Sequence, residues 1–419
     1  MECSTSCSGG CSSIVTGPAM PCAYDGETMP EDGTTYSHAE YAFKSMFREC
    51  ISLTGFVEQP SFKPVIDKFC CAYMFNNCYS LIAPFEMEIG GITGEGREIS
   101  NAFNAMFFGP NDITKTSLIS SFTELDFSKF ETQMANVYWN SSNFASMYRF
   151  CKKMRRIPAI KFPQGYIAKQ KTRTNDFQYF CYCDSALEEI PSGFYGGRTG
   201  YQMWYCAFQE CTSLSSIPDD FSFDIFIDDT ITNNINFYNV FNGSKFSSVP
   251  STLFFRDEAT ARAASGKNIS YREAFKNCTN LVSAPMMNTN LLSSEGDYFR
   301  NTFNGCRSLT GGNLILVDLP AASNIFSNEF SYAFQYCTSL SSCEDLGITQ
   351  IGNSDTVLEA ACCNNMFLGC TNLKTGPALP ACTAASGAGS IYRSYVPEMH
   401  FSDRVHFRQV HSANHGSVN

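Results

Sequence analysis

Eight basic residues within 22 positions form the densest charge cluster in this 419-residue chain. No acid interrupts the cluster, although the chain as a whole carries a net charge of −11. Such a cluster predicts an electropositive patch that attracts an acidic protein, a sulfated glycan or a nucleic acid. Aromatic residues are sparse nearby, so we expect a protein subunit rather than nucleic acid as the partner. The cluster consists of Lys152, Lys153, Arg155, Arg156, Lys161, Lys169, Lys171 and Arg173.

Two arginines of this cluster indicate which face it occupies. Arg155 and Arg156 replace the serines of the sister phrase Leu214-Ser215-Ser216-Ile217-Pro218, which predicts that both lie on an exposed strand face. A solvated face held by ion pairs is the alternative interpretation. Its acids would come from a run that alternates with Phe and Ile and lacks the oxygen spacing of a calcium loop. That run contains Asp219, Asp220, Asp224, Asp228 and Asp229.

Two groups near the chain ends have residue types that bind metals. Four cysteines lack the C-x₂-C spacing of zinc sites, so we expect a capping or docking arm there. They are Cys3, Cys7, Cys11 and Cys22. His411 and His415 would share a helix face and are weak candidates for a metal between subunits. A polar tail that docks on a neighbour is the simpler interpretation, and we expect no cofactor.

Catalytic motifs are missing from the sequence. It has no phosphate-binding G-x-x-x-x-G-K-[ST], no G-x-S-x-G and no H-E-x-x-H. Four of the five histidines lie within residues 400–415, which leaves few general bases elsewhere. Carboxylates are plentiful, so a glycosidase pair stays open on spacing alone. We nevertheless expect a protein that is not an enzyme.

The elements that position all these residues follow from a phrase that recurs eleven times: an aromatic, two variable residues, a cysteine, two more, and an aliphatic. A recurrence at about 32 residues predicts a stacked repeat architecture. The plainest copies are Phe47/Cys50/Leu53, Phe75/Cys78/Leu81, Phe208/Cys211/Leu214, Phe275/Cys278/Leu281, Phe303/Cys306/Leu309, Phe334/Cys337/Leu340 and Phe367/Cys370/Leu373. Degraded copies are Phe107/Pro110/Ile113, Tyr148/Cys151/Met154, Phe180/Cys183/Leu187 and Phe241/Ser244/Phe246.

Each unit is predicted to contain a short helix, a tight turn, a short strand and a return loop, which makes the chain an α/β protein. Aromatics before the cysteine are spaced for one or two helical turns that pack inward. The phrase after the cysteine ends in proline, as at Pro218 and Pro285, and proline lacks the donor that a strand ladder needs. Exposed strand positions are mostly small, so we expect recognition in the return loops or at the ends.

The cysteines are predicted to be buried free thiols. The chain has 21, an odd number, and nine of them occupy the cysteine position of the phrase. Equivalent positions in successive units form a column rather than pairs. Small apolar side chains suit such a column, and free thiols indicate synthesis in a reducing compartment.

The phrase resembles the BspA-type leucine-rich repeat of Bacteroidales surface proteins and their phages. The resemblance covers residues 41–382 and is clearest in Ala-Phe-x-x-Cys-Thr-Ser-Leu at 207–214 and 333–340, and in residues 366–381. It implies a right-handed solenoid of about eleven units and a role as an adhesin or binding surface. Two departures are the lack of a leader or lipid anchor and three units that have lost the cysteine or its spacing.

These observations lead to a three-part organisation: a docking arm at 1–40, a leucine-rich-repeat solenoid at 41–382, and a linker with a docking tail at 383–419. The first 40 residues lack Lys, Arg and a continuous apolar run, so no secretory signal is expected. No stretch is apolar enough for membrane insertion. We expect a homo-oligomeric phage virion appendage, made in the host cytoplasm. The alternative is a cell-surface adhesin that binds a host protein or glycan.

Overall fold

A computed structural model describes most of the predicted repeat region. The C-terminal histidines, the four N-terminal cysteines, Lys169, Lys171, Arg173, Asp228 and Asp229 lie outside the described residues. The described ranges are 16–17, 40–56, 63–81, 87–110, 124–139, 141–166, 175–197, 199, 204–225, 235–264, 269–289, 297–316, 324–325, 328–348, 357–358, 362–377 and 383–384.

Short parallel strands link neighbouring parts of the chain. They are β1 (Thr16–Gly17), β2 (Gly55–Phe56), β3 (Val65–Ile66), β4 (Gly91–Ile92), β5 (Glu98–Ile99), β6 (Leu125–Asp126), β7 (Tyr138–Trp139), β8 (Ile160–Lys161), β9 (Ile235–Asn236), β10 (Ile269–Ser270), β11 (Ser283–Thr289), β12 (Gly311–Leu316), β13 (Asn324–Ile325), β14 (Val357–Leu358) and β15 (Thr383–Ala384). The pairs are β1–β2, β3–β4, β5–β7, β6–β8, β9–β10 and β11–β12, and β13, β14 and β15 form a three-stranded sheet. Every pair is parallel.

The strand predicted after each cysteine is mostly reduced to a single bridge. Arg156 bridges Glu189, which in turn bridges Ser216. The exceptions are β2, β12 and β11, of which β11 continues through Pro285 and does not stop there as predicted. Its register with β12 shifts between Ala284 and Met287, so the proline lies at an irregularity where no ladder donor is needed.

In the described parts of the connections between phrases there are two short α-helices: α1 (Glu131–Asn136) and α2 (Glu258–Ala263). Asp257 caps α2, because its side chain accepts a hydrogen bond of 2.7 Å from the backbone N–H of Thr260. Single 3₁₀ turns occur at Ser128–Phe130 and Glu344–Leu346. Where the structure describes the aromatic segments before the cysteines, they are not helical, so that prediction was wrong.

Overlapping turns replace the predicted helix in the ten residues that end at each cysteine position, a segment called here the turn ladder. In the first unit, the N–H of Phe47 donates to the carbonyl of Met74 in the next unit, at 2.9 Å. The neighbouring N–H of Met46 instead donates to the carbonyl of Phe43, three residues back, at 3.3 Å. The same alternation joins Phe75 to Met106, Phe208 to Val240, Phe275 to Thr302 and Phe303 to Ala333. The chain therefore has a repeat fold in which successive units are hydrogen-bonded through their turn ladders.

A backbone period of four accompanies this bonding. Tyr41, Ser45 and Glu49 have φ values of 62°, 57° and 62°, in the left-handed region. That region costs a non-glycine residue about 1–2 kcal/mol, and the hydrogen bonds between units offset the cost. Three units have a glycine with positive φ at the last of these positions, where the missing Cβ avoids a clash. These are Gly243, Gly305 and Gly369.

The side chains of the turn ladder alternate as two inward and two outward. In the ninth unit the inward, fully buried side chains are Phe299, Thr302, Phe303 and Cys306. The outward, partly exposed ones are Arg300, Asn301 and Asn304. In an α-helix the inward positions recur every 3.6 residues. A pattern that repeats every four residues therefore distinguishes the turn ladder from a helix.

Stacked phenylalanines form the centre of the core. The rings of Phe275 and Phe303 lie 5.4 Å apart and nearly parallel, and Phe334 continues the stack at 5.6 Å. The cysteine three residues after each of these rings is buried, as predicted. Its thiol also donates a hydrogen bond to the carbonyl of the aromatic residue one unit earlier. Cys306 bonds the carbonyl of Phe275 at 3.0 Å in this way.

The fifth unit is shifted by one residue relative to the sequence prediction. In this unit the N–H of Cys181 donates to the carbonyl of Ala207 in the next unit, and the N–H of Asp184 donates to the carbonyl of Cys181. Phe47 and Cys50 make these bonds in the first unit, so Asp184 occupies the cysteine position. The predicted Cys183 is instead only half-buried and faces outward.

This shift places a carboxyl group inside the thiol column. Asp184 is fully buried, and neither of its carboxyl oxygens makes a hydrogen bond of normal geometry. Burial raises its pKa well above the usual value, although the backbone of Cys151 and the thiol of Cys181 lie beside it and lower it in part. The aromatic stack also breaks here, because Phe180 meets Tyr148 at 80° and Phe208 at 82°.

Two other buried carboxyls accept backbone N–H groups from the preceding unit. Asp176 accepts from Asn143 at 2.9 Å, and Glu329 accepts from Tyr298 at 3.2 Å. Burial raises the pKa of Asp176 to about 7 and that of Glu329 to about 8, despite these hydrogen bonds. Both groups are therefore largely protonated in the folded chain at mildly acidic pH.

The thiol column gives the first testable prediction. Cys306→Ser replaces a thiol with a hydroxyl at a fully buried apolar position. The C–O bond of serine is also shorter than the C–S bond of cysteine. We expect a loss of about 1–3 kcal/mol in the free energy of unfolding, measured by urea denaturation with circular dichroism. The matched control is Cys183→Ser, where the side chain faces outward and a change within about 0.5 kcal/mol is expected. Equal losses in both variants would contradict the inward and outward assignment.

The buried carboxyls give the second prediction. Their folded-state pKa values exceed the unfolded ones, so the folded chain binds more protons and its stability falls as pH rises from about 4 to about 8. Glu329→Gln keeps an acceptor for the N–H of Tyr298 and removes the titration. We expect its stability to decline less than wild type between about pH 5 and pH 8, by on the order of 2 kcal/mol. Parallel pH profiles of the two proteins would show that Glu329 does not titrate in this range.

Candidate partner-binding surfaces

The structure ion-pairs two arginines of the basic cluster with acids of the next unit. Arg155 donates from Nε to Glu188 at 2.8 Å, and Arg156 pairs with Glu189 at 2.9 Å. The arginine side chains are 71% and 72% exposed, as expected for an exposed strand face. Their partners differ from the acidic run suggested by the sequence. In that run, Asp220 instead accepts hydrogen bonds from Ser192 and Gly193.

The rest of the described cluster is distributed along the same part of the chain. Lys161, in β8, pairs with Glu124. The ammonium of Lys152 lies 5.7 Å from the ring centroid of Phe150, and Lys153 is exposed. Three of the five described members are therefore ion-paired within the chain. Exposed pairs contribute about 0–1 kcal/mol each, so they leave the partner-binding prediction open.

Neither a metal centre nor a membrane span is found in the described residues. No group of three or more His, Cys, Asp or Glu there is placed to hold a metal ion. Within the same ranges, no helix has the length and apolar character required to cross a membrane.

A second surface, which the sequence did not reveal, lies on the outward side of the turn ladder. Its centre is Arg149, whose guanidinium carbon has four ring centroids within 6 Å. These belong to Tyr179 at 4.7 Å, Phe150 at 4.8 Å, Tyr182 at 5.0 Å and Phe108 at 5.6 Å. Aromatic faces attract a cation through the ring quadrupole. The rings therefore hold the guanidinium in one place on the surface.

Ring contacts extend this cluster across further units. Tyr179 meets Tyr205 at 5.5 Å, and Tyr205 meets Tyr238 at 5.0 Å. The guanidinium of Arg272 lies 5.3 Å from the ring of Tyr238. The resulting continuous row, called here the aromatic–arginine stripe, crosses six successive units. It consists of Phe108, Arg149, Phe150, Tyr179, Tyr182, Tyr205, Tyr238 and Arg272.

The two arginines of the stripe differ in their charge partners. Arg272 pairs with Asp297 at 3.2 Å. No described carboxylate lies within ion-pair distance of Arg149, and its Nε is buried without an acceptor. Burial raises the pKa of Tyr205 and that of Tyr182, so both phenols stay protonated and can donate hydrogen bonds.

Amide side chains continue the outward face beyond the stripe. Asn304 donates to both Asn301 and Gln335, and all three side chains are partly exposed. Tyrosine with asparagine, serine and glycine is the composition of antibody recognition loops, because rigid rings supply area and small polar groups adapt their hydrogen bonds. Tyrosine and arginine are also the residues enriched at binding hot spots. The turn ladder thus presents a surface typical of protein recognition.

The sequence does not predict this stripe, because the spacing of the aromatic segments favours inward-facing helical turns. The available signal was a period of four. Relative to each cysteine position, the outward places are one, two, five and six residues earlier. Most units have Asn, Gly, Ser or charged residues there, whereas Tyr179, Tyr182, Tyr205 and Tyr238 are aromatic.

Comparison with known proteins gives a structural likeness and no match by sequence. No protein-family model and no curated protein sequence matches this chain. The chain is similar to a leucine-rich repeat protein from Bacteroides ovatus, known from a crystal structure. The TM-score is 0.29 and the identity 16%, over 82% of this chain and 71% of that one. A likeness at that score does not define the geometry or the number of the units.

The ion pairs of the basic cluster give a third prediction. Reversing Arg155→Glu and Arg156→Glu places like charges opposite Glu188 and Glu189, and a loss of about 0.5–2 kcal/mol is expected. Adding Glu188→Arg and Glu189→Arg re-forms both pairs with opposite polarity. We expect the fourfold variant to regain the wild-type midpoint in thermal unfolding. A fourfold variant as unstable as the double reversal would mean that these side chains stabilise the fold in another way.

Proposed function

We propose that this protein is a non-catalytic repeat scaffold that presents an extended surface to a protein partner within a larger assembly. The observation that carries the proposal is the aromatic–arginine stripe. Its rings contact one another across five units, and all of them except the buried Phe150 are partly exposed, as are its arginines. A repeat array displays such a surface at fixed spacing because each unit is bonded to its neighbours.

We further propose that the array is a right-handed leucine-rich-repeat solenoid of about eleven units at residues 41–382. Residues 1–40 and 383–419 would serve as its docking arm and tail. In support, β1 near the N-terminus pairs with β2 of the first unit, and β15 pairs with β14 near the other end. These contacts cover strand edges that would otherwise be open to unwanted pairing.

The setting we propose is a phage virion appendage, with homo-oligomers formed in the host cytoplasm. The buried thiol column supports this setting, because free cysteines persist in a reducing compartment. A cell-surface adhesin that binds a host protein or glycan is the second candidate. The resemblance to BspA-type repeats favours it, and it would use the same exposed surfaces.

Light scattering on the purified full-length chain tests the assembly. We expect an oligomer, and we expect the Arg155→Glu/Arg156→Glu variant to dissociate more readily. The fourfold charge-swapped variant is the control, because it re-forms the internal ion pairs but keeps glutamates at the two arginine positions. If it is stable yet still dissociates, the arginines bind a partner subunit. A stable wild-type monomer would contradict the assembly.

Thiol titration separates the two settings. The virion component should have all 21 cysteines reactive after denaturation without a reductant. An adhesin matured outside the cell should have fewer, because oxidation pairs accessible thiols there. The measurement must be made on protein isolated from its native source.

A further inference from the structure

The stripe combines many aromatic rings with a single arginine that lacks a charge partner in the described residues. Arg272 and Arg300 of the same outward face both pair with Asp297, at 3.2 and 3.3 Å. Arg149 is different, because the groups around its guanidinium are rings, which attract the cation but accept no ion pair. Within the described residues, its charge is therefore held in place without being neutralised.

We propose that Arg149 is the anchor of the stripe and that it binds a carboxylate of an acidic protein partner. The proposal rests on the function proposed above and specifies the chemistry of the partner. A guanidinium has five N–H donors and no acceptor, and it forms paired hydrogen bonds with a carboxylate. The Nε of Arg149 is buried, so its terminal nitrogens are the donors available to a partner.

The rings make this arginine a pre-organised anchor. Four of them, contributed by three successive units, surround the guanidinium at 4.7–5.6 Å. Little side-chain freedom is then lost when a carboxylate binds, and loss of that freedom is one of the main costs of association. Tyr179 and Tyr182 stand beside the guanidinium and supply apolar area with hydroxyl groups, as the rim of a binding hot spot does.

Among the residues of the stripe, only Arg149 lacks a charge partner in the described part of the chain, and this favours a protein over a polyanion as the ligand. A sulfated glycan or a nucleic acid presents closely spaced charges and is bound by rows of unpaired cations. The stripe offers such a cation at Arg149, whereas Arg272 is neutralised by Asp297. A single arginine among aromatic rings is complementary to a single carboxylate among apolar side chains. Protein surfaces provide such carboxylates.

A defined polymer can stand in for the natural partner in a binding test. A fluorescent random copolymer of glutamate and tyrosine offers carboxylates beside rings, and a copolymer of lysine and tyrosine is its charge-reversed control. Polygalacturonate offers carboxylates on a polysaccharide. Binding of each probe to the full-length chain is measured by fluorescence anisotropy or competition. We expect the glutamate–tyrosine copolymer to bind most tightly.

Three variants locate the binding site. Arg149→Ala should weaken copolymer binding about tenfold, equivalent to about 1.4 kcal/mol. Arg149→Lys should weaken it similarly, because lysine keeps the charge but not the planar fork or the ring stacking. Lysine also preserves the long stem, so it serves if the alanine variant does not fold. Arg300→Ala removes an arginine of the same face that is paired with Asp297, and it should bind within about twofold of wild type.

Three results would overturn the proposal. Unchanged binding by folded Arg149 variants would place the copolymer elsewhere on the chain. Full binding by Arg149→Lys would show that charge alone suffices and that the paired hydrogen bonds are not made. Tighter binding of polygalacturonate would identify a glycan partner. The light-scattering test of assembly does not involve Arg149. A negative result for Arg149 is therefore distinguishable from a failure of the proposed function.

Discussion

Alternate backbone N–H groups of each turn ladder bond to the next unit, and the N–H groups between them bond within the same unit. This division of hydrogen bonds is the constraint on which the rest of the structure depends. An α-helix directs its N–H groups to carbonyls four residues back and leaves few for a neighbour. The turn ladder directs half of its N–H groups to the next unit. The N–H groups of Phe47 and Phe303, for example, each donate to a carbonyl of the following unit. Short parallel strands add only a few further bonds.

The same constraint determines both the core and the surface. Because the backbone repeats every four residues, side chains alternate as two inward and two outward. Inward positions align in columns, which gives the stacked rings of Phe275 and Phe303 and the buried thiol of Cys306. Outward positions align as well, which brings Tyr205 against Tyr238 although 33 residues separate them in sequence. The aromatic–arginine stripe is thus the outer counterpart of the phenylalanine stack.

Departures from the phrase mark where this regularity is broken. Asp184 puts a carboxyl into the thiol column, and the ring stack turns through about a right angle at the same unit. Arg149 lies in the unit before it, and the basic cluster begins there too. These two adjoining units thus contain two unusual ionisable groups, the buried Asp184 and the partly exposed Arg149.

The sequence by itself determined the repeat, its period of about 32 residues, the burial of the cysteine position and the exposure of Arg155 and Arg156. Each of these follows from local residue type and spacing. It did not determine that the aromatic segments are turns, that Asp184 rather than Cys183 faces inward, or that Arg149 is surrounded by rings. Those features depend on hydrogen bonds between residues about 30 positions apart. Only the stacking of one unit on the next decides which N–H groups bond across, and with them which side chains become the surface.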